Sequence, residues 1–381
     1  IGHFLKNFFI YFYSNMIMNI KLIFTLLINY MRSFYKNNFW KFSVLILIII
    51  LILFTYRDFL TTLKLMLFQS YNNAMLPFDE YYKIILFYDT GIEKYDVGFP
   101  WTSRFIPNFL NFLTFKIFPC LEINHIPNTI DRSTYCSIWS LSLVNYFSTI
   151  IFQLSMFYYV VKKLKRPIDE GILTLFISYF FISLSDPYGI DRVSILFCSL
   201  FLIFEKQKIL KFILIIFSIF FNEKCTIFIT CYLFCENFLQ FYSKKKVEYF
   251  STLVSIFLFF LWSYSYILNV STDHHHHPLT IIFSGEIVTY NFFTFHGLSN
   301  SFFPLFLLTI PFIFYFNDKK KLSHLGLHKI YLAPIIIFIV LGLLIGGAGN
   351  TGRYLMYLCP LFIPLMGFFL SEKINSIFNK K

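Results

Sequence analysis

Long apolar runs alternate with short polar links along most of the chain. Runs dominated by Phe, Ile and Leu fill 42–56, 138–161, 171–185, 192–204, 209–221, 225–242, 249–269, 302–316, 330–349 and 354–370. Their length and unbroken apolarity match helices that cross a bilayer rather than strands, which alternate every second residue. The expected fold is all-α, a polytopic transmembrane helical bundle of about ten spans. Two runs, 192–204 and 209–221, are short for a hydrocarbon core of about 30 Å. They read either as spans or as a hairpin that does not fully cross.

One polar stretch breaks the rhythm. Residues 57–137 form a long loop after the first run, and its densest part is LPFDEYYKIILFYDTGIEKYDVGFPWTSR, residues 76–104. Within the loop, Phe105–Phe118 is apolar but short and carries Pro107 and Lys116. It reads as an interfacial or re-entrant helix.

Charge sharpens this picture. Only 14% of residues are charged, against about 25% in a soluble domain. With ten spans, alternate links hold 22 of the 32 Lys and Arg but six of the acids. That bias marks one side as cytoplasmic, with both termini on it. It also makes 1–41 a basic, amphipathic leader and 372–381 a basic tail flanking a transmembrane region, 42–371. The net charge of +12 lies in span-flanking links. No basic recognition helix or zinc-finger spacing accompanies it, so nucleic acid is excluded as a partner. The expected surroundings are the lipid bilayer.

The seven Cys include no CxxC pair. Cys198, Cys225, Cys231, Cys235 and Cys359 sit in apolar runs and read as packing residues. Cys120 and Cys136 share the long loop, and a disulfide between them is open if that loop meets an oxidising compartment.

The unusual polar turns all fall on the non-cytoplasmic side. Asp79 and Glu80 are an acidic pair in the long loop, either solvated loop acids or a general base or metal ligand above the membrane. Glu223 and Lys224 lie between two runs with almost no loop. They read as a local surface pair, or as charges kept near hydrocarbon for a polar ligand. Arg353 follows GGAGNTG and opens the last run. A snorkelling anchor there has no positive-inside rationale, and its planar donor fork suits a phosphate. Arg104, Asp186 and Arg192 share that side. His274–His277 beside Asp273 read as loop drift or as a divalent-metal site.

Four local features resemble the GT-C class of polytopic membrane glycosyltransferases. They are the acidic Asp79-Glu80-Tyr81 in a long outer loop, similar to a degenerate DXD motif, and the aromatic, proline-bearing entry Phe99–Pro107. The third is an Asp186-Pro187 turn followed by a hairpin and Asn222-Glu223-Lys224, and the fourth is Gly352-Arg353-Tyr354 opening a proline-containing span. The resemblance covers roughly residues 42–371 and implies sugar transfer from a polyprenyl-phosphate donor to a lipid or glycan acceptor. It implies Asp79 or Glu80 as base, with Arg353 and Lys224 or Arg104 on the donor phosphate. No clear DXD and no large soluble C-terminal domain are present, which leaves the acceptor and any divalent metal open. Two other classes fit the runs: a transporter or flippase of a lipid-linked substrate, with Asn145, Gln153 and Glu236 as its intramembrane polar candidates, and a non-catalytic subunit of a membrane complex.

Overall fold

The computed structural model describes residues 104–118, 132–183, 190–243, 249–269, 293–345 and 351–378. It also describes the single positions Ile49, Leu51, Ile52, Thr55, Tyr56, Phe59, Leu60, Leu63, Cys120 and Thr289. The chain divides into two compact units, residues 1–54 and 55–381. The 1–41 leader lies outside the described residues. In the first unit, Ile49, Leu51 and Ile52 are helical.

Every described element of the second unit is a helix, so the fold is all-α. In chain order these are α1 (Phe105–Ile117), α2 (Arg132–Tyr158, continued by a π turn Tyr159–Lys163), α3 (Ile168–Ser183), α4 (Asp191–Phe204) and α5 (Lys208–Phe221). Then come α6 (Glu223–Tyr242), α7 (Tyr249–Asn269), α8 (Phe295–Ser301), α9 (Phe303–Tyr315) and α10 (Lys319–His324). A 3-10 turn, Lys329–Tyr331, leads into α11 (Leu332–Ile345), and α12 (Thr351–Leu355) runs through a second such turn, Met356–Leu358, into α13 (Cys359–Phe378).

Two helices among the described residues, Tyr135–Lys163 and Gly352–Ile377, are long and apolar enough to cross a membrane. The apolar runs within the other described residues are helical but shorter or more polar, so length and apolarity by themselves mark two spans there. α4 and α5 have 14 residues each, about 21 Å at 1.5 Å per residue. α13 continues past the last run as far as Phe378, into the residues of the basic tail.

α2 packs on α1, α3 and α4, and α13 packs on α3, α4 and α9. α6 lies against α4, α5, α7 and α11. α4 is therefore enclosed, and Val193, Ile195, Phe197, Cys198, Phe201 and Leu202 are all buried. Peripheral helices turn apolar side chains outward. On α7 the stripe Leu253, Phe257, Phe260 and Tyr264 is 62–65% exposed. An apolar outer surface of that kind needs a non-aqueous neighbour.

Close approach of α3 to its neighbours rests on two glycines. A Cβ on Gly171 would meet Val161 Cγ2 at 2.5 Å and Phe157 Cε2 at 2.9 Å. A Cβ on Gly367 of α13 would meet Thr174 Oγ1 at 2.6 Å. Small residues let helices pack this tightly where lipid supplies no hydrophobic drive. Gly171→Val should therefore cost about 1–3 kcal/mol through overpacking. Thermal unfolding of the detergent-purified protein measures it, and an unchanged midpoint would show that α3 packs more loosely than this.

Candidate functional site

The charged turns singled out in the sequence meet at one end of the short helices. Arg104 precedes α1, Asp191 opens α4, Glu223 and Lys224 open α6, and Arg353 sits in α12. An acid in the first turn of a helix faces the positive end of its dipole, which suits Asp191 and Glu223. Lys224 is placed against that dipole, so its position needs another partner.

Asp191 is that partner. Its carboxylate is enclosed, with 1% of the side chain exposed. Arg353 Nε donates to Oδ2. Lys224 Nζ lies 3.7 Å from Oδ1, and the Tyr357 hydroxyl donates to the same oxygen at 2.7 Å. Asn222 then links the set: its Nδ2 donates to Tyr357 Oη at 3.0 Å, and its Oδ1 caps α6 by accepting from Lys224 N at 3.1 Å. The Lys224 ammonium also stands 4.5 Å from the Tyr354 ring centre and 5.4 Å from that of Tyr357. Aromatic faces stabilise a desolvated cation.

A second pair lies beside the first. Arg104 grips Glu223 with two donors, Nη2 to Oε1 at 2.8 Å and Nε to Oε2 at 3.3 Å. The two-pronged geometry fixes both planes and is the strong form of this contact. Arg192, next to Asp191, turns instead toward α2 and donates from Nη1 to Thr149 Oγ1 at 3.4 Å.

Of the residues expected from sequence, Arg104, Glu223, Lys224 and Arg353 thus converge, and Arg192 is adjacent. Asp79, Glu80 and Asp186 lie outside the described residues, as do His274–His277. Asp191 and Tyr357 are members that the sequence reading passed over. Asp191 stood in view within DPYGIDR, where the helix-dipole argument favours an acid at the first helical position. Among the described residues, no group of three or more His, Cys, Asp or Glu could hold a metal ion.

The height of the cluster along the bundle follows from its contacts. Arg192 reaches Thr149, and Ser199 meets Ser155 at 2.8 Å, so α4 runs alongside the second half of α2. Thr149 is the central residue of the span Tyr135–Lys163. The cluster is therefore level with the middle of the longest helix. α2 continues beyond it for about 25 Å, at 1.5 Å per residue back to Arg132. That far half meets α1, where Ser140 Oγ donates to Asn111 Oδ1 at 2.6 Å. It also carries the Cys120–Cys136 disulfide, with Cα atoms 5.3 Å apart. The other five cysteines are free and buried, as packing residues should be.

The opposite end of the short helices has different chemistry. There Tyr232 donates to Glu205, and Tyr331 donates to Glu236 at 2.6 Å. Arg166 grips Glu170 through two donors at 2.7 Å, and Lys321 meets Glu372 at 2.6 Å. Comparison with protein-family models, curated proteins and solved structures finds no match to this chain.

The Arg104–Glu223 pair makes a direct test of how the cluster is balanced. Glu223→Ala should cost about 3–5 kcal/mol, because it removes the carboxylate that accepts two donors of a buried guanidinium. The double exchange Arg104→Met with Glu223→Leu should be close to neutral in unfolding midpoint. A double variant as unstable as the single one would refute the pairing.

Proposed function

We propose that this protein is an integral membrane glycosyltransferase of GT-C type that uses a polyprenyl-phosphate-linked sugar as donor. One observation carries the reading. Lys224 and Arg353, picked from the sequence as phosphate contacts, meet on a single carboxylate although they stand far apart in the chain. Arg353 has the accessible edge, with 18% of its side chain exposed against 4% for Lys224 and 1% for Asp191. A ligand approaching from that edge meets Arg353 first, with the carboxylate and Lys224 behind it.

The chemistry would run as follows. An acceptor hydroxyl attacks the anomeric carbon, and its proton passes to Asp79 or Glu80. The bond from that carbon to the phosphate oxygen breaks, leaving polyprenyl phosphate. Arg353 and Lys224 stabilise the charge that grows on the leaving phosphate. The Cys120–Cys136 disulfide supports placing the α1 side in an oxidising, non-cytoplasmic compartment. The lysine bias supports ten spans with cytoplasmic termini, and the resemblance to the GT-C class supports a bacterial inner membrane.

Flipping of the lipid-linked substrate is the alternative that one observation favours: Gln153, deep in α2, is fully buried yet polar. Movement of a labelled lipid between leaflets of vesicles, with no sugar released, would separate it from transfer.

In native membranes, Arg353→Ala should raise the donor KM. Loss of a charge-assisted contact of about 1.5–3 kcal/mol corresponds to a rise on the order of 10- to 100-fold. Asp79→Ala with Glu80→Ala should instead lower kcat, by about 10²–10⁴ for a lost general base. Unchanged sugar transfer in both variants would end the assignment.

A further inference from the structure

The charge cluster leaves one buried polar feature unused. Asn145, Thr149 and Gln153 recur every four residues on α2, which stacks them on one stripe. All three are buried, with exposures of 1%, 0% and 0%. Arg192 anchors the middle of the stripe at Thr149. One turn further, about 6 Å along the axis, neither Nε2 nor Oε1 of Gln153 has a hydrogen-bond partner among the described residues.

The neighbouring helix repeats the pattern. The Gly171 contacts with Phe157 and Val161 set the register of α3 against α2, and the two run in opposite directions. Twelve residues on from Gly171, Ser183 comes level with Phe147–Thr149. Its Oγ also lacks a partner among the described residues. Buried amides and hydroxyls are nearly always met. Leaving one unmet in an apolar surround costs far more than a packing contact returns. The stripe is therefore built for something polar that the chain itself does not supply.

The amide narrows the choice. Its two ends offer donors and an acceptor together. An ion would satisfy one end and oppose the other, whereas a hydroxyl group both donates and accepts. We infer that Gln153 lines a polar subsite between α2, α3 and α4 that takes an uncharged, hydroxyl-rich group. Identifying that group as the saccharide of the ligand whose phosphate meets Arg353 rests on the function proposed above. The subsite itself does not.

The test uses the full chain in zwitterionic detergent, with thermal unfolding as readout. The probes are octyl glucoside, mannoside, galactoside and N-acetylglucosaminide below their micellar concentrations. 1-Octanol serves as the sugar-free control, and a polyprenyl phosphate without sugar probes the charge cluster. At least one glycoside should raise the midpoint of the native protein by several degrees, since a ligand that binds only the folded state stabilises it. 1-Octanol should not. Gln153→Leu should lose the glycoside shift and keep the polyprenyl-phosphate shift. If Gln153→Leu does not fold, Gln153→Met carries the same comparison. No glycoside shift in the native protein, or an equal shift in the variant, overturns the subsite. A retained glycoside shift with no response to polyprenyl phosphate sinks the phosphate reading and leaves the subsite standing.

Discussion

One carboxylate holds two cations in the interior of this protein, and the local structure follows from that arrangement. Asp191 is enclosed on all sides and meets Arg353, Lys224 and the Tyr357 hydroxyl at once. An isolated charge at this depth would be prohibitively costly, and a paired one is tolerated only when its remaining lone pairs are met. The Asp191 contacts tie α4, α6 and the turn before α13 to one point. Lys224 is the telling member. It sits in the first turn of α6, where the helix dipole repels a cation, so Asp191 and two tyrosine rings must outweigh that repulsion.

The same point explains why the helices around it are short. α4 and α5 begin or end at the cluster rather than at the far end of α2. At 14 residues they reach about 21 Å, against a hydrocarbon core of about 30 Å. Continuing α4 outward as an apolar helix would move Asp191 out of reach of Lys224. The half of α2 that overshoots the cluster is itself buried at Tyr135, Ile138, Trp139 and Leu141. α1 joins this half at Asn111 and Ser140, while Arg104, just before α1, reaches back to Glu223. α1 thus bridges the far half of α2 and the start of α6.

Much of the helix pattern was legible in the chain. The run 249–269 is a helix over those same residues, and the run 192–204 starts one residue early at Asp191. Apolar runs and their polar ends are local properties, and a sequence displays them directly. The odd placement of Lys224 and Arg353 was legible too, because neither fits a simple anchor role. Their partners were not. Arg104 and Glu223 are 119 residues apart, and Arg353 and Asp191 are 162 apart. No periodicity connects such positions, and a charge shows its counter-ion only once the helices are in register. The height of the cluster along the bundle was hidden for the same reason, since only the contact of Arg192 with Thr149 places it halfway along a longer helix.

The two ends of the short helices differ in the partners their acids find. At one end the carboxylates of Asp191 and Glu223 are met by buried arginine and lysine. At the other, Glu205 and Glu236 are met by tyrosines, while Arg166 pairs with the buried Glu170 and Lys321 with the half-buried Glu372. A tyrosine hydroxyl can satisfy a carboxylate but brings no charge that could bind an anion. Arginine brings both a fork of donors and a permanent positive charge. That difference in partner, rather than any difference in the number of acids, distinguishes the two ends of the bundle.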